Sequence, residues 1–200
     1  AVTVADFTFL ANRTKVVAKD TTTAPTRNPE GLVFVAKSDY GATFEVKITK
    51  NGATYTRSIT TMGSTQGSTA DSQRAEKSIQ TDRIAENLRI NVATDTTYYG
   101  SASAANIPGV TITLYGNVIH YQGNTINDDF DIDVKDSRGN DHIRAFKGET
   151  PDFKKLPSQG PLGFVIKVSG DNSKGQDDYF VKFSQDVTNG QYVWKETIEP

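Results

Sequence analysis

Along most of this chain apolar residues alternate with polar ones at a spacing of two. Phe164, Ile166 and Val168 share one parity, as do Tyr179, Val181 and Phe183, and Gly, Asn, Asp and Ser bound each run. That period and those boundaries predict half-buried antiparallel strands. With Gln191–Lys195 they form a three-stranded meander within Phe153–Glu196. Its Ser169–Asp178 connection is polar and glycine-rich, which predicts a long exposed loop. Trp194, the single tryptophan, closes the meander on the side of Tyr192.

The same reading applies upstream. Thr3, Ala5, Phe7 and Phe9 predict one face of a first strand, with Asn12-Arg13 as its turn and Thr14–Ala18 returning. Asp20–Glu30 is Pro/Thr-rich and aperiodic, so it reads as a linker and a domain boundary. Leu32–Ala36 is a short apolar run. Phe44, Val46 and Ile48 alternate up to Asn51-Gly52, a pair suited to the type I′ turn because both central residues need positive φ, and the chain returns through Tyr55, Arg57 and Ile59. Met62–Thr69 is a Gly/Ser/Thr loop. One helix is predicted over Ser78–Val92, where Ile84, Leu88 and Val92 with Ala85 make an apolar stripe. Ser78 or Thr81 is its candidate cap, Asp82 suits its positive end, and the polar 71–77 segment is a candidate extension. Val110–Leu114 and Val118–Tyr121 pair around Gly116-Asn117. Phe130, Ile132 and Val134 alternate, turn at Ser137–Asn140 and return through Ile143–Phe146. The fold class predicted is strand-rich α+β: antiparallel hairpins or sheet with one principal helix. Residues 1–20 are expected to form a separate hairpin and 21–200 the α+β domain, ending in the meander at 151–200.

Composition narrows the chemistry. A net charge of −2 argues against a strongly basic nucleic-acid binder. Without cysteine there is no disulfide framework and no thiolate zinc site, and two histidines leave little for a histidine-rich metal site. No apolar run is long enough to span a bilayer.

The sharpest candidate for chemistry is the acidic 127–141 segment, since calcium takes several oxygen ligands. It lacks the order of an EF-hand loop. Asp129, Asp131 and Asp133 instead alternate with Phe130, Ile132 and Val134, the pattern of a strand with one wet face. His120 and His142 flank the region, but no nucleophile elbow accompanies them and both read as ordinary strand or turn residues. Glycoside hydrolysis needs two carboxylates about 5–10 Å apart, and spacing alone selects no pair from Glu45, Glu86, Glu149, Glu196 and the many aspartates. Lys154-Lys155 is too short a basic pair for phosphate, and Gly160, Gly163, Gly170 and Gly175 read as turns rather than a phosphate cradle. No catalytic, cofactor-binding or metal-ligating set emerges.

Two stretches carry a resemblance. Leu156-Pro157, then GFVIKVSGD, DDYFVKF and VWKET in that order, resemble the tail nozzle (tail tubular protein B) family of short-tailed bacteriophages. VTVADFTFLANR at the start is similar to the same family. The resemblance implies a structural component of a virion tail, neither an enzyme nor cofactor-dependent. Its expected partners are neighbouring copies in a sixfold ring and adaptor or fibre proteins, with DNA passing through without sequence-specific binding and without membrane insertion. It also implies that the first hairpin belongs to a propeller-like body and that the chain is an internal fragment of a longer protein. A carbohydrate-binding or polysaccharide-degrading tail domain is the alternative.

Overall fold

The computed structural model describes residues 2–4, 7–9, 26–65, 67–91, 106–139, 141–170 and 177–199. Its strands are β1 (Val2–Val4), β2 (Phe7–Phe9), β3 (Glu30–Val35), β4 (Thr43–Lys50), β5 (Ala53–Thr60), β6 (Val110–Tyr115) and β7 (Val118–Gly123). They continue as β8 (Asp131–Asp136), β9 (Ile143–Phe146), β10 (Glu149–Thr150), β11 (Val165–Val168), β12 (Tyr179–Gln185) and β13 (Tyr192–Thr197). Helices α1 (Thr69–Ser78) and α2 (Thr81–Ile90) lie between β5 and β6. The strand-rich α+β class is as the pattern predicts.

The body is organised around β3. It sits inside the sheet β6-β7-β3-β9, antiparallel throughout. Successive strand residues point to opposite faces, and at β3 both faces are covered. Val33 and Val35, with Ile119, Tyr121 and Ile143, join a core with Phe44, Val46 and Ile48 of the sheet β5-β4-β8 and with Ile84 and Leu88 of α2. Leu32, Val118 and Phe146 join a second core with Phe164, Ile166, Val168, Val181 and Phe183 of the sheet β10-β11-β12-β13. This explains why Leu32–Ala36 reads as a continuous apolar run rather than an alternation: a strand buried on both faces has no wet side.

The Asn51-Gly52 hairpin is as predicted. Asn51 has φ 51° and Gly52 φ 77°, and β4 and β5 pair over their full length from Thr43↔Thr60 to Lys50↔Ala53. The β6–β7 hairpin and the β11–β12–β13 meander are likewise as predicted. Gly123 ends β7 where space is tight, since a Cβ there would lie 2.6 Å from the Asp128 carbonyl oxygen.

Five expectations need correction. The helix predicted over Ser78–Val92 is two helices. Ser68 caps α1 by accepting from the Asp71 amide at 3.1 Å, and the Ser78 hydroxyl turns back to the Ala75 carbonyl at 2.8 Å. The Ser38 hydroxyl takes the Ile79 carbonyl, and Gln80 is extended, so the chain restarts at Thr81. Gln80, not Ser78 or Thr81, is therefore the residue before α2, and its side chain makes no capping bond. Ile84, Ala85 and Leu88 are buried as the stripe predicts; Val92 lies outside the described residues.

The first strand also divides. Val4 pairs with Phe7 and Val2 with Phe9, so the predicted first strand is two antiparallel strands, with Ala5 outside the described residues. A period of two reads the same through a tight reversal as along one strand, so alternation cannot separate them. Asn12-Arg13, Thr14–Ala18 and residues 20–25 of the linker lie outside the described residues. Glu30, assigned to the linker, is the first residue of β3. β8 and β9 do not pair with each other: β8 adds to β4 and β9 to β3, so the chain between them passes from one sheet to another, and Asn140 of the predicted turn lies outside the described residues. Finally, the meander gains a fourth strand, β10, parallel to β11 through Glu149↔Lys167. Gly175 and the centre of the 169–178 loop are outside the described residues.

Candidate binding cleft

Between the central sheet and the end of the meander lies an open cleft of about 850 Å³. Alternation puts Thr113 and Tyr115 of β6 and His120 and Gln122 of β7 on the same face, since Thr113 pairs with His120 and Tyr115 with Val118. That face is opposite the one carrying Ile119 and Tyr121 into the first core. The Gln159–Gly163 loop and Phe183 and Tyr192 of the meander form the other wall.

A charged set lies at the cleft. The His120 Nε2 and Glu30 Oε2 are 3.1 Å apart, with both side chains nearly buried. The Arg27 guanidinium donates to Glu30 Oε1 at 2.5 Å and to the Gly163 carbonyl at 2.7 Å, tying the segment before β3 to the far wall. Burial pushes the Glu30 carboxyl up, but the hydrogen bonds from His120 and Arg27 and their charges outweigh it, leaving the group below its ordinary value. Glu30 is thus an anion satisfied from two sides. The ring of His120 packs edge-on against Phe164, with centroids 6.2 Å apart.

The wall contributed by β12 and β13 is aromatic. Tyr192 stacks on Phe183 with centroids 5.9 Å apart and planes within 8°, and Tyr192 is 56% exposed. Trp194 packs on Phe183 at 5.1 Å, and its Nε1 donates to the Pro157 carbonyl at 2.7 Å. Trp194 therefore lies beside Tyr192's partner, in keeping with the sequence reading.

The other candidates fall elsewhere. His142 lies before β9 rather than in the cleft. Its amide donates to Asp136 Oδ2 at 3.0 Å, its buried Nδ1 is 3.8 Å from Oδ1, and its carbonyl accepts from the Ala36 and Lys37 amides. That arrangement holds the β8–β9 connection. The two histidines are not brought together, and no serine is among the described residues that line the cleft. Asp129 and Asp131 have side chains 71% and 90% exposed, and Asp133 is exposed opposite Lys47, so the three share a wet face. Lys147 bonds Asp129 at 2.7 Å and holds its carboxyl below the usual range. Glu86 pairs with Arg89 within α2, Glu149 accepts from Ser169, and Glu45 and Glu196 sit on β4 and β13. None of these four borders the cleft, where Glu30 is the one carboxylate among the described lining residues. Lys154 and Lys155 are exposed in a single 3₁₀ turn.

Sequence reasoning missed Arg27, Glu30, Thr113, Gln122 and Gln159. A signal existed for part of this set. His120 and Gln122 are the polar alternates of a β7 whose other parity, Ile119 and Tyr121, is apolar, and Arg27 and Glu30 are three residues apart. Nothing local announces that Glu30 meets His120 across ninety residues of chain.

The family model described as bacteriophage nozzle protein matches residues 1–200. The chain is 28% identical over 204 aligned residues to the tail tubular protein gp12 of Escherichia phage T7, a match covering 98% of this chain and 22% of that protein. The chain therefore spans about a fifth of the length of this curated relative.

Proposed function

The chain belongs to the bacteriophage nozzle protein family, and from that premise we propose that it is a structural component of a virion tail tube. The observation that carries the reading is the family match over residues 1–200, supported by the likeness to a T7 tail tubular protein. In this reading the chain contributes a folded module to a tail ring. It meets neighbouring copies and adaptor or fibre proteins, while DNA passes without base-specific contact. The division at residue 20 fits the same picture, with the first hairpin belonging to a propeller-like body and 21–200 forming the module. Ring subunits of a cyclic assembly meet head to tail, so the module presents two different surfaces to its neighbours.

The role proposed is not enzymatic. A glycosidase needs a protonated acid and a second carboxylate. Glu30, the one carboxylate among the described residues lining the cleft, is instead held ionised by His120 and Arg27. The test is to delete residues 1–200 from the full-length protein in the phage and image the particles by electron microscopy. Particles with missing or truncated tails are expected. Complete tails with undiminished plating would overturn the reading.

A further inference from the structure

We propose that the cleft between the central sheet and the meander binds a neutral saccharide of one to a few pyranose units, without hydrolysing it. This goes beyond the tail role and rests on the cleft alone. Ligand sites are concave, about 300–1,000 Å³, with an apolar wall and a few convergent polar groups; this one, at about 850 Å³, has both.

Charge selects the ligand class. Arg27 and Glu30 already satisfy each other at 2.5 Å, and His120 holds the second carboxylate oxygen. An anion entering here would face the Glu30 carboxylate, and a cation would face the Arg27 guanidinium. A neutral hydroxyl-rich ligand leaves the set intact and uses what remains. Hydroxyls both donate and accept, which matches the amides of Gln122 and Gln159 and the hydroxyl of Thr113. Among the described residues these three side chains make no hydrogen bond to one another or to a neighbour, so their groups are available.

The apolar wall fits the same ligand. Tyr192 is braced on one face by Phe183, stacked within 8°, and its residue is 56% exposed. A rigid aromatic face beside polar groups suits the C–H face of a pyranose ring, with the hydroxyls reaching the amides and the ring lying on the platform. One carboxylate held ionised beside Arg27 can accept from a sugar hydroxyl but has no proton to give a leaving group, so the site binds and does not cleave.

The test titrates the 200-residue chain, shown folded by a cooperative thermal transition, with maltotriose, lactose and N,N′-diacetylchitobiose. Trp194 emission reports on the wall through Phe183, and ligand-detected NMR reports binding directly. Adenosine monophosphate and sulfate are run alongside. The expected result is saturable binding of at least one sugar, about tenfold weaker in Tyr192→Ala, retained in Tyr192→Phe and weakened in Gln122→Ala. Tyr192 is exposed on an edge strand, and unchanged melting of its variants separates loss of binding from loss of fold. No binding by any of the three sugars would overturn the proposal. So would binding indifferent to Tyr192→Ala and Gln122→Ala, or adenosine monophosphate or sulfate binding in place of the sugars.

Discussion

The two faces of the central sheet are built from the same strands and end in opposite conditions. On one face, Val33, Val35, Ile119 and Tyr121 meet β4, β5 and α2 and are fully buried. Even the buried Arg57 is accommodated, lying over the Tyr121 ring and donating to the Arg89 carbonyl at the end of α2, where the helix dipole favours a cation. On the other face, Leu32, Val118 and Phe146 meet the meander over only part of the sheet, and the remainder opens as the cleft. The difference lies in one parity of β6 and β7. Where that parity is apolar, as at Val118, the second sheet closes down. Where it is Thr113 and Gln122, polar groups must keep partners or water and the wall stands off, with His120 at the boundary, packed on Phe164 and bonded to Glu30.

The largest effects that sharpen this contrast come from the cores. Phe44→Ala and Phe183→Ala should each cost about 3–5 kcal/mol in urea unfolding. Phe183→Ala should also change Trp194 emission under native conditions, because the two rings touch, whereas Phe44→Ala should leave native emission unaltered. Equal emission changes in the two would break the separation of the cores.

Glu30→Ala ranks next. It strips the shared acceptor from Arg27 and His120, and an expected loss of about 2–3 kcal/mol follows from removing charge-assisted hydrogen bonds at a nearly buried site. The pH dependence has a definite sign. The folded-state Glu30 carboxyl titrates below its ordinary value of 4.5, so its stabilisation is fully present above that value and is lost as pH falls through the folded value. Below about pH 4.5 the parent should therefore lose stability more steeply than Glu30→Gln. Parallel acid limbs for the two would show that the cleft set contributes nothing ionic.

A smaller effect belongs to the β4–β5 turn. Gly52→Ala forces a Cβ into the left-handed region at φ 77° and should cost about 1 kcal/mol. Smallest of all, Asp131→Ala and Asp133→Ala should stay within about 0.5 kcal/mol, and millimolar calcium should leave the melting temperature of the parent unmoved. A calcium-dependent rise would replace the wet-face reading of β8 with a metal site.

Much of the fold was legible because the physics is local. Asn51-Gly52 announces its hairpin through positive φ, and Phe164–Phe183 announces the meander through parity. Partner choice was not legible. Alternation at Phe130, Ile132 and Val134 predicts a strand, but β8 pairs with β4 rather than β9, a preference decided by which buried face each strand must cover. At the break at Ile79-Gln80 the Ile79 carbonyl accepts from Ser38, 41 residues away in sequence. The cleft escaped notice for the same reason: Glu30 ends an aperiodic segment, and its meaning arises only when β3 lies beside β7.

β3 is a wall shared by a closed core and a partly open one, and amide hydrogen exchange resolved by peptide tests this most directly. Protection tracks burial and hydrogen bonding of the segment that opens. The expected order places β3 and β4 slowest, β11 and β12 next, and the edge strand β13, with Tyr192 exposed beside the cleft, fastest among these strands. Protection of Tyr192–Thr197 equal to that of Glu30–Val35 would contradict it, because the second face would then be as closed as the first.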